Sequence, residues 1–257
     1  MKRTLSFVLV LLLLIAAVSV SAAERCEGPG FATPTEAARA YLEAINAGDI
    51  DSALSTFAIE TYAEHLDTKA FIRRMGCIGE SVYQTIPTTG TLGKGLLVEK
   101  RRSEIVNYLW MAYTNYSTIN ANLEWKNGYV APLKEDADII AAVSRIESVS
   151  ADQYIGRLHI TGSLLPTNPL VRAILPDGYF SESLQKSIRV KCDAQGADEL
   201  MDVLVLFDIG GKPYVQTMEC VRYGETWYNQ SLMSTICMMF GMDSHSGGIL
   251  PISGLSK

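Results

Sequence analysis

The sequence predicts an α+β domain in which N-terminal helices pack on a curved, mainly antiparallel sheet formed by the C-terminal half. Three observations predict it. Apolar residues recur at helical spacing between Pro34 and Phe57 and again between Glu99 and Thr118. From about residue 152 the apolar period changes to two. Turn signals, Gly210-Gly211 and Tyr223-Gly224-Glu225, then separate the apolar runs. Helices first and hairpin-joined strands afterwards is an α+β layout.

Residues 1–22 come first and read as an export signal. Lys2 and Arg3 give a positive start, and an apolar run extends from Leu5 to Val20. It ends in Val20-Ser21-Ala22-Ala23, whose small residues suit cleavage after Ala22. A membrane-spanning helix needs about 20 mostly apolar residues. This run is slightly shorter, and Ser19 interrupts its end. Retention as an uncleaved anchor is the alternative. No later segment is long and apolar enough to span a membrane, so the expected location is secreted or extracytoplasmic. The body, residues 23–241, reads as one α+β domain with a helical insertion at about 66–150. Residues 242–257, rich in Gly and Ser, read as a flexible tail.

Thr33-Pro34-Thr35-Glu36 is a helix start. Thr33 can cap, Pro34 suits the first helical position and Glu36 can close a capping box. Ala38, Tyr41, Leu42 and Ile45 make the buried stripe, and Gly48 ends the helix. Asp49 caps a second helix carrying Ile50, Ala53, Leu54 and Phe57. Residues 85–95 read as a loop. A longer helix over Glu99–Thr118 carries Ile105, Leu109, Ala112 and Tyr116, with Val106, Trp110 and Tyr113 widening the stripe. Lys100-Arg101-Arg102, followed by Glu104, reads as its solvated start. Residues 119–150 are ambiguous: Ile139, Ile140, Val143 and Ile146 fit a helix, but a strand could hold part of the stretch.

Strands follow. Leu158 and Ile160 alternate with polar neighbours in Tyr154–Gly162, and Ile188, Val190 and Cys192 alternate with Arg189 and Lys191. Asp202–Asp208 is nearly all apolar, which suits a central strand covered on both faces. Gly210-Gly211 turns into Tyr214–Arg222, and Tyr223-Gly224-Glu225 turns into Thr226–Asn229.

Composition excludes some chemistry. The formal charge is −6; loss of residues 1–22 removes Lys2 and Arg3 and no acidic residue, giving −8. Nucleic acid is disfavoured as a partner, because binding it needs a basic field. Cys26, Cys77, Cys192, Cys220 and Cys237 are widely spaced, without a Cys-x-x-Cys pair, which argues against zinc. Either one or two disulfides form in an oxidising compartment or all five are buried apolar side chains. His65, His159 and His245 are too scattered to form a metal site at sequence level. Gly90-Thr91-Leu92-Gly93-Lys94-Gly95 lacks phosphate-loop spacing, and no cofactor motif is present.

The segment Thr33-Pro34-Thr35-Glu36-Ala37-Ala38-Arg39-Ala40-Tyr41-Leu42-Glu43-Ala44-Ile45-Asn46-Ala47-Gly48-Asp49-Ile50-Asp51-Ser52-Ala53-Leu54 resembles the opening helices of the nuclear transport factor 2-like superfamily. Gly224-Glu225-Thr226-Trp227-Tyr228 is similar to its last hairpin. The resemblance covers residues 32–60 and 150–235 and departs between about 66 and 150. It implies a cone, a bent sheet wrapped around helices with a cavity at the open end. Members include ketosteroid isomerases, polyketide cyclases and many non-catalytic extracytoplasmic proteins, so it implies a pocket and no particular reaction.

Polar or aromatic residues on the predicted strands are the candidate ligand-binding residues: His159, Asp208, Tyr214, Glu219 and Trp227. On a concave sheet face they could gather into a pocket where burial shifts a carboxylate or imidazole toward acid–base use. The leading expectation is a non-enzymatic domain that binds a small molecule or a protein. The alternatives are a pocket enzyme of isomerase or cyclase type, with His159 or Asp208 as general base beside a tyrosine hydroxyl, and a structural envelope protein with an exposed apolar patch around Trp110, Tyr113 and Tyr116.

Overall fold

A computed structural model describes residues 25–76, 90–120, 135–148, 156–242 and 247–252. The export signal of residues 1–22 and Cys77 lie outside the described residues. Helix α1 spans Pro34–Ala47, and its capping box forms as read. The Thr33 hydroxyl accepts from the Glu36 amide at 3.2 Å and the Glu36 carboxylate accepts from the Thr33 amide at 3.1 Å. Gly48, at φ 71°, ends α1 in the left-handed region. Asp49 then caps α2 (Ile50–Ser55) through the Ser52 amide, 2.9 Å. Short helices α3 (Glu60–His65) and α4 (Thr68–Met75) follow, then α5 (Thr91–Asn120) and α6 (Asp136–Ser148).

The sheet is open and antiparallel. Strands β1 (His159–Leu164), β2 (Glu199–Ile209), β3 (Lys212–Tyr223) and β4 (Thr226–Ser231) lie in the order β1-β2-β3-β4. Strand β5 (Ile249–Pro251) pairs with β3 over Tyr214–Gln216, and β4 takes Glu219–Tyr223 of the same strand. Helices α7 (Pro169–Ile174) and α8 (Glu182–Ala194) lie between β1 and β2, and α9 (Thr235–Met239) follows β4.

Strand β2 is central and covered on both faces, as its apolar run implies. Val203, Val205 and Phe207 join Tyr41, Leu42, Phe57, Ile105, Tyr116 and Met218 in the main core on the α1 side. Leu204 turns the other way and meets Val171, Val215, Ile236 and Leu250. Each large apolar side chain removed from water in this way contributes roughly 1.5–3 kcal/mol.

Four expectations change. The stretch containing Ile188, Val190 and Cys192 is helix α8, capped by the Ser181 hydroxyl on the Leu184 amide at 3.3 Å. Leu184, Ile188 and Cys192 also stand four residues apart, so the same letters fit one helical stripe. Helix α5 starts at Thr91, inside the stretch read as a loop. Arg101 is buried, not solvated. Its guanidinium donates to the carbonyls of Ala58 (3.2 Å) and Gln230 and sits over the Tyr62 ring, tying α5 to the start of α3 and to β4. The tail read as flexible supplies β5, where Ile249 and Leu250 are buried. Cys26, Cys192 and Cys220 carry free thiols, and Cys237 is buried and joined to none of them.

Candidate functional site

Strands β2 and β3 pair Asp202 directly with Glu219. Strand alternation puts both on the face opposite α1, and both are buried, at 4% and 2% exposure. Two carboxylates taken out of water side by side cost several kcal/mol unless each finds partners. Their partners differ. Asp202 Oδ1 accepts from the Thr235 amide (3.2 Å), while Oδ2 accepts from the Ile236 amide (3.0 Å) and the Tyr179 hydroxyl (3.1 Å). The residue thus tethers the first turn of α9 and the segment before α8 to the sheet. Burial, and then the charge of Glu219, push its carboxyl up to about 7, against the pull of its three donors.

Glu219 is satisfied by charge. Its Oε1 takes the Lys191 ammonium from α8, and its Oε2 accepts no hydrogen bond among the described residues. Both carboxylates line a cleft of about 320 Å³, with Glu199, Tyr179, Ile188 and Leu200 among its walls. The Gln185 amide holds the Tyr179 carbonyl at 2.9 Å and fixes the segment that brings the tyrosine in.

A second cleft, about 490 Å³ and apolar, lies between the α1–α2 turn and α5, against Ile45, Ile50, Val106, Leu109, Trp110 and Tyr113. Trp110 is 64% exposed and stacks on Tyr113 at 6.1 Å. The apolar patch expected there is narrower than read. Tyr116 is buried, and its hydroxyl donates to Gln216 at 3.0 Å.

The five residues singled out in the sequence do not gather in one place. His159 and Asp208 are register partners on β1 and β2, joined Nδ1 to Oδ2 at 2.8 Å. The His159 side chain is 75% exposed, and no tyrosine hydroxyl bonds either residue among the described residues. Tyr214 is buried on the α1 face, stacked on Phe207 at 5.8 Å. Trp227 is core on that face too, with the Arg222 guanidinium 5.8 Å from its ring. Glu219 alone of the five lines either cleft. Sequence reasoning missed Asp202, Tyr179 and Lys191. The available signal was a carboxylate inside a strand read as covered on both faces, since such a charge must be buried and partnered. Among the described residues no group of three or more His, Cys, Asp or Glu side chains is placed to hold a metal ion. No described helix is long and apolar enough to cross a membrane.

No family model and no curated protein matches the chain. A solved structure of a cystatin-like protein from Ruminococcus gnavus ATCC 29149 is similar at TM-score 0.46 and 14% identity, over 88% of this chain and 42% of that one. This chain thus spans less than half the length of that protein.

Proposed function

We propose that the chain is an exported, non-enzymatic binding domain that holds a small molecule in the cleft beside Glu219. The observation that carries this is a buried carboxylate with one oxygen unclaimed by any described protein donor, opening on a cleft of about 320 Å³. Small-molecule sites run from roughly 300 to 1,000 Å³ and combine mostly apolar walls with a few placed polar groups. Binding is favoured over acid–base catalysis by the state of Asp202. Its carboxyl titrates near neutrality, but its oxygens are engaged by Thr235, Ile236 and Tyr179, which hold the fold together. Export rests on the pattern of residues 1–22, and the nuclear transport factor 2-like resemblance at residues 32–60 and 150–235 supports a fold that carries pockets.

A small-molecule screen followed by amide NMR tests the reading. Ligands should shift the resonances of Tyr179 and of residues 199–202. Ile188→Trp, which fills the cleft from α8, should abolish binding while leaving the circular dichroism spectrum unchanged. Ligands that bind Ile188→Trp as well as the parent would sink the assignment to this cleft.

A further inference from the structure

Resting on the reading of this cleft as a small-molecule site, we infer that its ligand is an organic ammonium, a protonated primary amine on an apolar body whose N–H groups bond Glu219. The charged side chains in the wall are Glu199, Asp202 and Glu219, and no lysine or arginine among the described residues lines it. The nearby cations act from outside the wall: Lys191 reaches Glu219 from α8, and Arg222 reaches Glu199 at 3.3 Å on the sheet. An anionic ligand would meet the carboxylates of Glu199 and Glu219, with the carboxyl of Asp202 beside them. A ligand needing strong donors would find the hydroxyl of Tyr179 given to Asp202 and the amide of Gln185 given to a carbonyl. Beside the Thr167 and Thr235 hydroxyls, what the wall offers is acceptor capacity, chiefly the Glu219 carboxylate with its one unclaimed oxygen, next to the apolar side chains of Ile188, Leu200 and Met201.

The partner of Glu219 also selects the kind of cation. A guanidinium gains its advantage by engaging both oxygens of a carboxylate in parallel. Lys191 already occupies Oε1, so a single open oxygen remains. That geometry suits an ammonium, a compact charge that needs one strong contact, and it makes Lys191 a built-in competitor for the same carboxylate.

The probes are hexylammonium, hexanol and hexanoate, titrated into the isotope-labelled protein and read at the amides of residues 179, 199–202 and 219. Hexylammonium should bind at least about tenfold more tightly than hexanol, since a charge-assisted hydrogen bond is roughly twice as strong as a neutral one, and hexanoate should not bind. Glu219→Gln should weaken hexylammonium by about tenfold or more. Lys191→Met should tighten it by about tenfold, because the competing ammonium is gone. That gain runs opposite to what a loosened fold would give. Hexanol or hexanoate matching hexylammonium at these amides, or weaker ammonium binding in Lys191→Met, overturns the ammonium assignment and leaves the cleft reading standing. Absence of shifts there from all three probes, or identical shifts in Ile188→Trp, overturns both.

Discussion

Replacing Asp202 by Asn should change how stability depends on pH more than it changes stability itself. In the unfolded chain the carboxyl titrates at its ordinary value of 3.8; in the fold, burial and the Glu219 charge move it to about 7. A raised carboxyl means that the folded state binds the proton more tightly than the unfolded one, so stability from this group falls as pH rises between those values. Three pH units at 1.36 kcal/mol each set a ceiling of about 4 kcal/mol, of which about 3 fall between about pH 5 and about pH 8. Asn is neutral throughout and removes that slope. It also turns an NH₂ toward a donor at the start of α9 or at Tyr179, which costs about 1–3 kcal/mol at every pH. Asp202→Asn should therefore lie within about 2 kcal/mol of the parent at about pH 5 and become the more stable of the two at about pH 8, a relative gain of about 3 kcal/mol. Urea unfolding of both proteins at the two pH values measures this as a double difference, in which titrating groups not coupled to Asp202 cancel and the Asp202–Glu219 pair is read as a unit. A gap of the same size at both pH values would refute the assignment of a buried, proton-holding Asp202.

Two further outcomes probe how the second layer of helices meets the sheet. Gly196, at φ 61° just after α8, would bring an added Cβ within 1.9 Å of the His65 carbonyl oxygen. Gly196→Ala should lower stability by at least about 2 kcal/mol in urea unfolding, and an unchanged midpoint would mean that α8 and α3 do not approach so closely. Gln216 is fully buried, accepts from the Tyr116 hydroxyl at 3.0 Å and donates to the Gly247 carbonyl at 2.8 Å. Gln216→Leu strands both partners and should cost about 2–4 kcal/mol, with faster hydrogen exchange at Ile249 and Leu250 as β5 loosens. Unaltered exchange there would separate β5 from this network.

The sequence was most legible where one local rule decides the conformation. Thr33, Pro34, Glu36, Gly48 and Asp49 mark their helix ends without help from the rest of the chain, and each does what its chemistry implies. The apolar run of β2 likewise announced a strand covered on both faces. It was less legible where one spacing serves two periods: Ile188 and Cys192 are compatible with alternation and with an i, i+4 stripe, and the Ser181 cap decides between them. Arg101 shows another limit. A run of basic residues on a helix looks solvated until the carbonyls of Ala58 and Gln230, from elsewhere in the chain, arrive beside one of them. The candidate site was legible only in Glu219. Tyr179 and Lys191 become neighbours of the carboxylates because α8 and the segment before it pack on the face of the sheet opposite α1, and no local pattern encodes that packing.

The hydrogen bond from the Asn229 side chain to the Ala37 carbonyl spans 192 residues, and β5 closes against β3 only near the end of the chain. Helix α1 is the clearest local structure in the sequence, and Tyr41 meets Phe57 at 5.7 Å close by in the chain, but much of the core that its apolar stripe joins comes from β2, β3 and β4. Bringing such distant segments together carries the loop-closure entropy that slows folding of non-local topologies. Assembly of the main core therefore waits on β2, β3 and β4, however early the ends of α1 are marked.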